Sequence, residues 1–235
     1  MLTVPVVDPM EIWGQPVRAR LPGSDDDAVL IELQAALHEF LKHSLSLVYD
    51  VPLLMQEGVP EYSLNPVATE PDPLDAPWNG LHGLYCHYAV FGTDPRHIFP
   101  VDYKPLGASY SPSVPQRFWC PEPAVVELLP TPNSLYDGIA FTVTTSLVPI
   151  HPVMSVPKMV SDYYFESILD GTVGRMMSHV KRPYSDPKTG TYHMRRFRNG
   201  MRTAKDETLR RWSNAERSAV YNRDWSWKPQ QRNSR

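Results

Sequence analysis

Apolar residues at Leu30, Leu33, Leu37, Phe40 and Leu41 recur at helical spacing directly after Ser24-Asp25-Asp26-Asp27. That serine and those aspartates supply capping oxygens and negative charge to a first turn, so the pattern predicts a helix over Ser24–His43 with one buried face. The period returns twice near the C-terminus. Phe165, Ile168, Leu169, Thr172, Val173, Met176, Met177 and Val180 form one apolar stripe, and Met194, Phe197, Met201, Ala204 and Thr208 form a second at spacings of 3, 4, 3 and 4. The predicted helices run over Ser155–Arg182 and Asp186–Trp212, broken by Arg182-Pro183-Tyr184-Ser185-Asp186-Pro187. Ser155-Val156-Pro157 and Ser185-Asp186-Pro187 each set a capping side chain before a proline, whose missing N–H costs nothing in a first turn. Phe165, Leu169, Met176, Met194, Phe197 and Met201 are the expected packing residues. Gly171 and Gly174 beside the first stripe call for close approach of a neighbouring backbone, since mid-helix glycine otherwise costs up to about 1 kcal/mol.

Between these helices the period changes to two. Ile139 to Val148 alternates most clearly, with Ile139, Phe141, Val143 and Thr145 opposite Ala140, Thr142, Thr144 and Ser146. Leu45–Met55, Tyr62–Leu64, Gly83–Phe91 and Ala124–Leu129 also have strand composition. Proline, 25 of 235 residues and concentrated between Pro52 and Pro157, excludes helix there and favours short strands with rigid turns. The pattern predicts an α+β protein: a three-helix body, an inserted antiparallel β module, and extended arms at both ends. Its divisions are an extended arm at 1–23, a first helix at 24–44, the β module at 45–153, a helical hairpin at 154–212 and a docking tail at 213–235.

Charge changes the picture more than composition does. The first 171 residues hold 7 Lys and Arg against 21 Asp and Glu, and the remaining 64 hold 16 against 5, within a chain of net charge −3. Arg195, Arg198, Arg202 and Lys205 recur at helical spacing opposite the second apolar seam. In the tail, Tyr221, Trp225 and Trp227 alternate with Arg217, Arg223 and Lys228. Such asymmetry suits complementary faces of neighbouring subunits, or phosphate contacts by the helix and base stacking by the tail. Trp, Tyr and Arg are also favoured anchors in protein grooves.

Catalytic and metal-binding patterns are not apparent. His82, Cys86, His87, His97 and Cys120 fit no zinc spacing, and a strand sets Cys86 and His87 on opposite faces. They are expected to be structural, with a Cys-His nucleophile lacking any local signature. Glu57, Glu61, Glu70, Asp72 and Asp75 read as acidic surface rather than a cation site. No phosphate-binding glycine loop or nucleophile elbow occurs. No cofactor, no metal, no enzyme activity, no secretory signal and no membrane span are expected, and two cysteines suit a reducing compartment.

The order of motifs carries a resemblance. Ala36-Leu37-His38-Glu39-Phe40-Leu41 is followed by Pro60-Glu61-Tyr62-Ser63-Leu64-Asn65-Pro66, a Leu129-Pro130-Thr131-Pro132 turn, and Ser146-Leu147-Val148-Pro149. Val156-Pro157, Asp162-Tyr163-Tyr164, Gly171 and Arg175-Met176-Met177 then precede Pro183-Tyr184-Ser185-Asp186-Pro187, Tyr192 and Phe197. Over residues 25 to 210 this resembles the head-to-tail adaptor proteins of tailed bacteriophages, the tail-tubular-protein-A type of connector. The resemblance implies a structural virion protein, assembled in the host cytoplasm into a ring of usually twelve copies. Such a ring joins the portal to the tail nozzle or tube, with tail fibres as a further partner, and double-stranded genomic DNA passes through its channel. It implies portal docking by Arg217, Tyr221, Arg223, Trp225, Trp227 and Lys228, and subunit contacts by Arg195, Arg198, Arg202 and Lys205. A nucleic-acid-binding protein and a receptor-binding tail module are the alternative readings.

Overall fold

The computed structural model describes residues 6–64, 81–91, 94–101, 113–122, 125–149, 152–153 and 155–212. It is an α+β fold with one core in the helices and another between two antiparallel sheets. In chain order the elements are β1 (Val6–Val7), a π-helical turn (Met10–Gly14), α1 (Gln15–Arg20), α2 (Asp26–Ser44), β2 (Val48–Leu54), β3 (Glu61–Ser63), β4 (Leu81–Phe91) and β5 (Asp94–Ile98). They continue with β6 (Arg117–Trp119), β7 (Val125–Leu129), β8 (Ala140–Pro149), β9 (Val156–Pro157), α3 (Lys158–Met177) and α4 (Pro187–Trp212).

The N-terminal segment is not the extended arm expected of residues 1–23. Val6 and Val7 pair antiparallel with Pro157 and Val156, and the chain then turns into helix. Pro9 precedes the first helical turn and Pro16 sits in the first turn of α1, where a missing donor is harmless. Trp13, Val17 and Leu21, spaced four apart, are buried against α2 and α3. The Trp13 indole stacks on Phe165 at 5.9 Å and donates its Nε1–H to the Phe165 carbonyl at 3.0 Å.

The C-terminal hairpin differs from expectation at its ends. α3 begins at Lys158 with Pro157 at its cap position, and Ser155, which the sequence offered as the cap, is buried beside β9. Its helix stops at Met177 rather than Arg182, and Val180, expected in the apolar stripe, lies in an exposed turn where Lys181 takes a left-handed conformation. Asp186 caps α4 through the Thr189 N–H at 3.2 Å and hydroxyl at 2.5 Å. Those two bonds hold its carboxyl below the usual carboxylate range.

Glycine sets how closely the hairpin closes. A Cβ on Gly171 would stand 2.7 Å from the Phe197 ring, and one on Gly174 would stand 3.0 Å from the Met194 backbone nitrogen. Gly190 and Gly200 on α4 likewise face α3, against the Gly174 carbonyl and Ser167. Close approach therefore offsets the helix propensity that glycine forfeits. Gly171→Ala is expected to destabilise by about 1–2 kcal/mol, overpacking outweighing a propensity gain of about 1 kcal/mol. Gly14→Ala, which meets only the flexible end of Met10 at 3.3 Å, is the matched control and should be neutral or stabilising in urea denaturation.

In the β region one sheet has the order β2-β8-β4-β5 and the other β3-β7-β6. Phe91, Phe141 and Val143 from the first meet Tyr62, Phe118, Val126 and Leu128 from the second. β5 and β6 escape the sequence patterning because each is short and bears charged or aromatic side chains. The two faces of β8 alternate as read, yet Thr144 and Ser146 on the polar face are buried too. That face joins the helices: the Ser146 hydroxyl donates to the Leu45 carbonyl at 2.8 Å, just past the end of α2, and the Leu147 N–H donates to the Leu47 carbonyl at 2.8 Å.

Candidate interaction surface on the C-terminal helix

α4 divides lengthwise. Phe197, Met201, Ala204 and Thr208 are buried on the inner side, and Met194 is half-buried beside them. Leu169 and Met176 of α3 are buried in the same core. Phe165 faces elsewhere: it is half-buried beneath Trp13 and belongs to the packing of the N-terminal helix. Phe197 contacts Phe40 of α2 at 6.3 Å between ring centroids, so the helix is anchored to two others.

On one flank, each a single residue past a seam position and so about 100° round the helix, Arg195, Arg198, Arg202 and Lys205 are all exposed, and none forms an ion pair among the described residues. The row spans eleven residues, about 15 Å at the rise of an α-helix. Tyr192, 58% exposed, extends it one turn toward the N-terminus, with the Arg196 guanidinium 5.9 Å from its ring centroid. Asp206 and Glu207 follow its C-terminal end. The firmly packed helix fixes the backbone positions from which these exposed basic side chains project.

Arg196 does different work. Its Nε lies 3.1 Å from Oδ2 of Asp170, a carboxylate only 3% exposed, and His193 Nδ1 lies 2.8 Å from Oδ1. Arg20 of α1 approaches Oδ1 at 3.8 Å and also pairs with Glu166 at 3.3 Å. Asp170 therefore ties α1, α3 and α4 together from beneath the surface. A second set joins α2 to α3: Arg175 pairs with Glu39 and, at 3.8 Å, with Glu32, which also meets His179 at 2.9 Å. Neither network was foreseen from sequence, although Asp170 and Arg196 stand inside helices whose periodicity was plain.

The cysteines meet and the histidines scatter. Cys86 and Cys120 lie together in the β core; the hydrogen bond between them, followed by burial, pushes the Cys86 thiol up, and the same bond, against the effect of burial, holds Cys120 below its ordinary value. His87 falls at a bulge in β4 and bonds through Nε2 to the Ser146 hydroxyl at 2.7 Å. His97 is exposed and packs edge-on against Tyr88 at 4.8 Å. His82 lies in β4, its side chain outside the described residues. Among the described residues no three His, Cys, Asp or Glu side chains converge as metal ligands. Glu57 and Glu61 are exposed, and Glu70, Asp72 and Asp75 lie outside the described residues. So do the tail residues Arg217, Tyr221, Arg223, Trp225, Trp227 and Lys228. No helix among the described residues is long and apolar enough to cross a membrane.

Neither a scan of protein-family models nor a search of curated proteins returns a match to this sequence.

Proposed function

We propose that this chain is a structural assembly subunit, a ring-forming adaptor that joins a phage portal to the tail around the path of the exiting DNA. The observation that carries this reading is the unpaired basic row on α4. It is displayed on a helix locked to α3 by four facing glycines and to α2 through Phe40 and Phe197. A surface so rigidly held recognises a partner with little ordering cost. The motif order that resembles head-to-tail adaptors supplies the nature of that partner. The Trp- and Arg-rich tail is the segment assigned to the portal, and the β module to the tail nozzle or fibres.

Negative-stain imaging of the purified chain, alone and mixed with its portal protein, tests the reading. A closed ring, formed alone or on the portal, is the expected result. A monomer that ignores the portal and binds duplex DNA with steeply salt-dependent affinity would replace the reading with nucleic-acid binding, the same row then lying along phosphates. Removal of residues 213–235 is expected to abolish capture by the portal while leaving the far-UV helical signal unchanged.

A further inference from the structure

We propose that the basic row of α4 is occupied by a second copy of this chain, which presents the acidic corner where α1 meets α2. The proposal rests on the assembly reading above and names the partner face it leaves open. The corner comprises Asp25, Asp26 and Asp27 at the start of α2, with Glu11 on the helical turn that precedes α1, all exposed. One cation stands among them, Arg18, whose guanidinium lies 2.5 Å from Asp26. Glu11, Asp25 and Asp27 have no ion pair among the described residues, and Asp25 makes no side-chain capping bond despite its position at the start of α2. Three adjacent aspartates against one guanidinium, with Glu11 on the turn before them, thus present the sign of charge that Arg195, Arg198, Arg202 and Lys205 require.

The two patches do not meet within one chain. No ion pair joins them, and each sits on a different helix of a closely packed body. Complementary patches at different places on one surface make a heterologous contact, which closes into a ring when the rotation allows and otherwise continues as a filament. Tyr192 at the margin of the row supplies the aromatic body that such contacts favour beside arginine. A nucleic acid fits less well. Its uniform negative charge is attracted by the row but repelled by the corner, whereas a second copy is attracted at both.

Two full-length variants test the contact: R195E/R198E/R202E, which reverses the row, and E11K/D25K/D27K, which reverses the corner. All six positions are exposed, so circular dichroism of each variant should match the wild type. By mass photometry each variant alone is expected to associate at least tenfold more weakly than wild type. An equimolar mixture should recover association, because each basic row then faces an acidic corner on the other variant and each acidic row a basic corner. Wild-type association should also weaken at least tenfold between about 0.1 and 0.5 M salt, a readout that needs no variant. Undiminished assembly by the row-reversed variant, or a mixture that stays apart, overturns the proposal while leaving the adaptor reading intact. A wild-type chain that associates neither with itself nor with the portal overturns the adaptor reading as well. Binding of a 30-base-pair duplex that is lost on row reversal, without self-association, assigns the row to nucleic acid instead.

Discussion

Trp13→Ala is expected to cost about 3–5 kcal/mol, the largest single-site loss available in the helical body. The side chain is fully buried, and its ring is sandwiched into the cluster that also holds Val17, Leu21 and Val160. Truncation removes the stack on Phe165 and the indole donor, and it strands the Phe165 carbonyl without that partner. The cavity it leaves lies between the N-terminal π-helical turn and α3, beside the Val17 and Leu21 packing and the Arg20 contacts to Glu166 and Asp170. Surface ion pairs of that kind contribute little, so nothing nearby offsets the loss. Urea denaturation followed by circular dichroism measures it, with Tyr163→Ala at an exposed position as a control that should change stability by less than about 0.5 kcal/mol. Equal midpoints for the two variants would mean that the N-terminal helix is dispensable to the fold.

The same tryptophan shows where the sequence was silent and why. α2 and α4 were legible because each carries an uninterrupted periodic stripe over more than three turns, and their predicted bounds fall within two residues of those observed. The N-terminal helix carries the same signal in miniature, Trp13, Val17 and Leu21 at intervals of four, but Pro9, Pro16 and Pro22 suggest extended chain until their positions are seen to be helix starts and a helix end. Short pieces give few repeats, and their stability comes from packing on residues more than a hundred positions away. β5 and β6 failed for a related reason: Asp94–Ile98 and Arg117–Trp119 are strands by pairing rather than by composition. Of the candidate surface, the row of Arg195, Arg198, Arg202 and Lys205 was legible as spacing alone. That Arg196, in the midst of the same arginines, turns inward to Asp170 was not, since it depends on the angle at which α3 crosses α4.

Removing both His193 and Arg196 side chains, as His193→Ala with Arg196→Ala, is expected to cost more than removing the carboxylate they serve. Asp170 is 3% exposed, and with both side chains gone only Arg20, at 3.8 Å, remains near it. A buried charge stripped of its partners costs about 3–5 kcal/mol. Asp170→Asn keeps the volume and some hydrogen bonding, and the cations it releases are partly solvated already, with Arg196 47% and Arg20 37% exposed. Solvent screening of those partners brings the expected cost of Asp170→Asn down to about 2 kcal/mol. The consequence is a sign that simple contact counting cannot produce. Adding Asp170→Asn to the doubly truncated protein should restore stability, because the stranded carboxylate disappears, where additive losses would lower it further. Urea midpoints for the three variants decide the matter, and a triple variant less stable than the double would show that Asp170 is adequately hydrated without its partners.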